Sequence, residues 1–143
     1  PDRGIMGLKA IVDNYGSTES GETARFYLAT AYYNLGQYED ALKQFDNFSS
    51  SNPLLTSAAY AGIARCHEVK KEFSKAAGYY EKASSVMMNT ATTPEYLNAA
   101  ARCYGLAGEK EKALTLFKRL KKDFPASSFA READRYISQY SAS

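Results

Sequence analysis

The chain of 143 residues has no tryptophan, one histidine (His67) and two cysteines (Cys66 and Cys103). Two thiols are too few to staple a disulfide scaffold. A single histidine without thiols or carboxylates at ligand spacing leaves no zinc-type motif. Charge of one sign is also lacking: Lys+Arg 18 against Asp+Glu 16 leaves +2, so no broad field draws nucleic acid or an anionic membrane. No apolar run approaches the ~20 residues that span a bilayer. Glycine-rich phosphate loops and paired catalytic carboxylates are absent, and no cofactor is implied. There is no signal peptide. The first residue is Pro1 rather than Met, which marks the chain as a fragment or a processed product, so missing targeting signals say little about compartment.

What is present is tyrosine, 12 of them beside 7 phenylalanines, in a chain 45% hydrophobic and long enough to bury one proper core. A repeat organises it. Ala29 lies twelve residues before Ala41, with Phe45 four after, Phe48 seven after and Pro53 twelve after. Ala64, Ala76, Tyr80 and Ala83 repeat the spacing, as do Ala101, Ala113, Phe117, Leu120 and Pro125. Tyr32, His67 and Tyr104 share one place, and Gly36, Lys71 and Gly108 share the turn between them. Residues at i, i+4 and i+7 occupy one helical face. Each copy therefore reads as two antiparallel amphipathic helices. Alanine on both facing sides allows close approach, and the aromatics fill the space toward the next copy. One hairpin alone cannot bury that face; stacking does.

These residues resemble the tetratricopeptide repeat (TPR), a family that repeats about every 34 residues as helix–turn–helix with small residues at the crossing and a closing proline. The resemblance implies an all-α, right-handed superhelix of antiparallel helix pairs, about eight helices in one domain. The copies are 22–53, 57–88 and 94–125. The middle one carries His67 for the usual tyrosine, Lys71 for the turn glycine and Met88 for the proline. At the start, Leu8, Ile11 and Tyr15 match Phe117, Leu120 and Phe124, so 2–16 reads as the second helix of a repeat whose first helix lies upstream. Residues 126–143 read as a capping helix with Ala130, Ala133, Tyr136 and Ile137 inward. The pattern after Pro125 is similar to bacterial envelope TPR proteins, such as the coordinator of the Tol–Pal system and outer-membrane assembly lipoproteins. That similarity favours the periplasm or cell envelope over the cytoplasm. The expected helices are 2–14, 20–35, 38–50, 56–70, 73–87, 94–107, 109–123 and 127–140, with Ser20, Thr56, Thr93 and Ser127 as caps.

In such stacks the first helix of each hairpin lines the concave side. The groove positions are Thr23, Phe26, Tyr27, Thr30, Tyr33 and Asn34 in the first copy; Ala58, Ala61, Gly62, Arg65, Glu68 and Val69 in the second; and Glu95, Asn98, Ala99, Arg102 and Leu106 in the third. Phe26, Tyr27 and Tyr33 would form an aromatic shelf beside the aligned Arg65 and Arg102, with Asn34 and Asn98 as amide partners. Arginine grips a carboxylate bidentately, and asparagine can hold a peptide backbone. The competing reading is that the arginines are merely solvated and the aromatics pack between hairpins. Chaperone-binding TPR domains are similar in layout, but here Phe26 and Glu95 stand at the clamp lysine places and Thr30 at a clamp asparagine place, which argues against chaperone tails.

Cys66 and Cys103 occupy matching places and read as small packing residues, too far apart for the ~7 Å Cα limit of a disulfide. His67 reads as a half-buried core residue rather than a base, because no nucleophile accompanies it. Met87 and Met88 close a helix. Lys110, Lys118, Lys121 and Lys122 fall on an outer, solvated helix face interrupted by glutamates rather than on a nucleic-acid surface. The function expected is a non-enzymatic interaction or scaffold module for a peptide or protein of unspecified identity. The alternatives are self-association through a first helix exposing Leu8, Ile11 and Val12, and an enzyme centred on His67.

Overall fold

The computed structural model describes residues 2–142, apart from the side chain of Asp2; Pro1 and Ser143 lie outside it. Eight α-helices and no strand occur among the described residues: α1 (Asp2–Tyr15), α2 (Glu19–Asn34), α3 (Tyr38–Asn47), α4 (Pro53–Val69), α5 (Phe73–Val86), α6 (Thr92–Leu106), α7 (Lys110–Asp123) and α8 (Ser128–Ser141). Each packs on the next in the chain. The pairs α2/α3, α4/α5 and α6/α7 are the three hairpins, with α1 laid against α2 and α8 against α7. Across hairpins α2 touches α4, and α6 touches the capping helix α8, whereas α4 and α6, α3 and α5, and α5 and α7 make no comparable contact. The α2/α4 and α6/α8 contacts have no counterpart on the opposite side, so the stack curves there. The result is an all-α superhelix with α2, α4 and α6 on its inner side.

The crossing alanines account for the hairpins. Ala29, Ala41, Ala64, Ala76, Ala101 and Ala113 are all fully buried, and a methyl is the only bulk between paired backbones. Around them lie Phe117, Leu97 and Leu120 in the larger cluster and Phe45, Ile63 and Cys66 in the first. Neighbouring hairpins approach as closely at Gly62, where an added Cβ would stand 2.4 Å from the Phe45 ring. The three turns share one device. Gly36 and Gly108 take φ of 77° and 82°, and Lys71 takes 62° at the same place. Left-handed backbone closes each helix end, and lysine adopts it at a steric cost that glycine avoids.

Six helices match the sequence expectation within two residues; the exceptions lie at one junction. α3 stops at Asn47, where Phe48 turns extended, and α4 begins at Pro53, with the Asn52 side chain accepting from the Leu54 N–H. Proline disfavours helical backbone before it and suits the first turn after it. Pro53 therefore opens the next helix rather than closing a repeat, and Thr56, an expected cap, lies inside α4. Thr18 rather than Ser20 caps α2, accepting from the Gly21 N–H at 3.0 Å. Thr93 lies within the first turn of α6 and accepts from the Asn89 N–H. Ser127 caps α8 as expected, accepting from the Phe129 N–H.

The ends differ from one another. On α8, Ala130 and Ala133 are buried and Tyr136 stacks on Phe117 at 4.7 Å, while Arg131, Glu132 and Arg135 face solvent. On α1 the expected exposure holds for Ile11 alone. Val12 is buried against Ala24 and Leu28, and Leu8 packs beside it, because these two fall on the face turned to α2.

The buried crossing makes Ala29→Leu destabilising by about 1–3 kcal/mol through overpacking, to be read as a lower urea midpoint. Lys71→Gly removes the left-handed strain and is expected to raise stability by about 0.5–1 kcal/mol, seen as a higher melting temperature.

Candidate functional site

The inner side brings α2 and α4 together with two residues of the second helix α5. Tyr33, Arg65 and Glu68 line a depression of about 460 Å³ with Val69, Phe73 and Tyr80. The helical spacing of three between Arg65 and Glu68 puts both on one face. Tyr80, four residues after the crossing Ala76, sends its hydroxyl through from α5 and donates to Glu68 Oε1 at 2.7 Å. Burial first, then the bond to Glu68, raises the Tyr80 pKa, and the charge of Arg65 opposes that rise. Burial raises Tyr33 and Tyr96 too, and at both the Arg65 charge pulls the other way. The Arg65 charge thus acts on tyrosines of α2, α5 and α6.

Arg65 and Arg102 are both half-buried, and neither has a hydrogen bond or ion pair to a carboxylate among the described residues. Glu68, the nearest candidate, is held by Tyr80 and faces the Cys103 thiol. Burial and the Glu68 charge push that thiol up to about 12, while Arg102 opposes. Asn98 is 5% exposed, and its Oδ1 has no partner. An unmet buried acceptor costs about 1–3 kcal/mol, and this oxygen is enclosed by the chain rather than presented to the groove.

The expected aromatic shelf is not assembled as drawn. Phe26 turns into its own hairpin, edge-on to Phe45 at 5.9 Å and against Phe48 at 5.6 Å. It fills the space that the short α3 leaves beside α2, so its face is spent on packing. Tyr27 stays 54% exposed and meets the Phe26 edge. Tyr33 packs edge-on to Tyr38 at 5.5 Å. Thr30 donates to the Phe26 carbonyl one turn back, and Asn34 is exposed at the end of α2. Of the residues singled out, Tyr33, Arg65, Glu68 and Val69 share the depression. Asn98 and Arg102 stand on α6 at the places matching Phe26 and Thr30. Tyr80, Phe73 and Lys71 were missed. They belong to a second helix and its turn, and a tyrosine at a core spacing gives no sign of where its hydroxyl points.

The other candidates fall elsewhere. His67 Nδ1 lies 3.0 Å from Glu72 Oε1, and its ring stacks on Tyr79. That contact, ahead of the Lys70 charge, holds the Glu72 carboxyl below the usual range. Cys66 is fully buried, its thiol pushed up to about 11 chiefly by burial. Among the described residues no cluster of His, Cys, Asp or Glu could hold a metal ion, and no helix is long and apolar enough to cross a membrane. The arrangement presents two arginines without carboxylate partners beside tyrosine rings.

Known proteins fit this geometry. Models of the tetratricopeptide repeat match residues 26–85 and 99–127. No protein in a curated collection matches the chain by sequence. Among solved structures, the chain is similar to a Podosopora anserina protein of the kinesin light chain type with nearly identical TPR-like repeats. That likeness has a TM-score of 0.74 at 15% identity and covers 95% of this chain and 75% of that one. It is similar also to the N-terminal domain of stress-induced protein-1 (STI-1) from C. elegans, with a TM-score of 0.70 at 18% identity, over 80% of this chain and 93% of that one. At such identities the likeness concerns the fold. Repeat spacing, buried crossings, curved stack and matching family models agree, and the chain belongs to the tetratricopeptide-repeat family.

Proposed function

We propose that the inner side binds an extended or helical segment of another protein that carries a carboxylate, with Arg65 and Arg102 as its grips. Repeats of this family are in general protein–protein interaction modules, and a non-enzymatic scaffold role follows the same line. One observation carries the finer reading. Arg65 and Arg102 stand at one place in successive hairpins, half-buried and without a carboxylate, while Arg25, Lys70 and Lys121 each find one, Glu22, Glu39 and Asp134. A half-buried guanidinium interacts in a lower effective dielectric than a solvated one, and its fork matches a carboxylate. Tyr33, with few rotors to freeze, adds contact area beside Arg65. Thr30, Tyr27 and Asn34 would extend the surface along α2.

A second reading, association of copies through α1, rests on Met6, Ile11 and Tyr15, which are 67%, 39% and 58% exposed. It predicts a mass by light scattering that rises with concentration; a monomer mass at every concentration removes it. For the leading reading, Arg65→Ala combined with Arg102→Ala is expected to weaken binding of a partner recovered with the wild-type chain at least a hundredfold, at about 1.5–3 kcal/mol for each charge-assisted contact, with an unchanged helical circular-dichroism spectrum. A double variant that keeps every partner overturns the groove reading.

A further inference from the structure

The junction between the first two hairpins is built differently from the next one. α3 has 10 residues where α5 and α7 have 14 each, so about one helical turn is missing. At the second junction the corresponding side chains, Tyr80, Ala83, Leu97 and Leu116, are all buried. At the first, Phe48, Tyr60 and Tyr79 are only half-buried, and a notch of about 360 Å³ opens between α3, α4 and α5. Rings of Phe45, Phe48, Tyr60 and Tyr79 form its walls. The volume exceeds the ~150 Å³ that accommodates a benzene molecule. The notch lies where α3 and α5 flank α4, and neither Arg65 nor Arg102 lines it.

Two opposite charges line the same notch. Lys82 Nζ stands 4.8 Å from the Tyr79 ring centre and 5.9 Å from that of Tyr60, and these ring faces are its contacts. Asp46 lines the notch too and enters no ion pair. An aromatic cavity with one cation and one anion suits a ligand having a ring, a carboxylate and an N–H donor. The C-terminal residue of a peptide carries all three on one Cα. An internal aromatic residue would need a second side chain, rooted outside the notch, to reach Lys82.

We infer that this notch is a second recognition site, which takes the aromatic C-terminal residue of a partner chain: the ring between Tyr60, Tyr79 and Phe48, the carboxylate on Lys82 and the amide N–H toward Asp46. This site is independent of the inner-side reading, and a partner could occupy both.

The test is amide NMR of the 143-residue chain titrated with N-acetyl-phenylalanine, which presents the three groups alone. Saturable shifts confined to Ser49, Ser50, Thr56 and their neighbours are expected, at a dissociation constant on the order of 1 mM for so small a ligand. N-acetyl-phenylalanine amide, lacking the charge, and N-acetyl-glutamyl-phenylalanine amide, with the acid on the preceding residue, are each expected to bind about five- to tenfold more weakly. Lys82→Gln, at an exposed side chain, should reduce binding of the free acid by the same factor, while Arg65→Ala with Arg102→Ala leaves it unchanged. The inference is overturned by shifts centred on α2 and α6, by no saturation, by equal binding of all three compounds, or by a Lys82→Gln chain that binds as the wild type does.

Discussion

The packing of alanine against alanine at each hairpin crossing is the constraint on which the structure depends. Six buried alanines set the spacing of three helix pairs, and little else in the fold is free once that spacing is set. Backbones so close leave no room for long side chains at the crossing, so bulk must be carried to either side. Aromatics at Phe45, Tyr80 and Phe117 take it up. The hairpins then wedge against one another through these rings, and α2 meets α4 where α3 and α5 stay apart. The hollow is thus a consequence of where small and large residues alternate. A surface that recognises other molecules comes with the packing solution and needs no loop of its own.

That regularity was legible because it is periodic. Alanines twelve apart, aromatics four beyond and a turn residue between them report the hairpins without any knowledge of their contacts. Even Lys71 keeps the backbone of the glycines it replaces, since the turn is dictated by the two helices it joins. The junction around Pro53 was less legible. Proline at a repeating position looks like the end of one unit, yet its physical effect is to start the next. The Ser-rich stretch before it offers nothing to hold α3 together for a last turn. Residues 48–50 therefore sit outside the helix, and Phe26 turns inward beside the gap. The inner-side residues were legible as positions but not as contacts. Spacing puts Arg65 and Arg102 on a common face; it cannot say that Asn98 would lose its partner or that Phe26 would be spent on packing. On α1 the error was one of face: a heptad-like match to α7 identifies which residues are apolar, and only the position of α2 decides which of them are covered.

The middle hairpin shows how a weak copy of a repeat can be the one with the most chemistry. At the place where the flanking hairpins carry Phe45 and Phe117, it carries Tyr80. The ring fills the same space, so packing tolerates the exchange, but the hydroxyl must find a partner once buried. It finds Glu68. Arg65, three residues before Glu68 on the same helix, is the side chain that would otherwise pair with that carboxylate. The Tyr80 hydroxyl holds one oxygen of that carboxylate, and Arg65 makes no ion pair with it. The same reasoning explains why Arg102 is also unpaired: Gly105 occupies the place of Glu68 in its hairpin and supplies no carboxylate, and Tyr140 of α8 lies over it. The two cations thus stand in different surroundings, one beside a carboxylate held by a core tyrosine and one beside a glycine covered by α8.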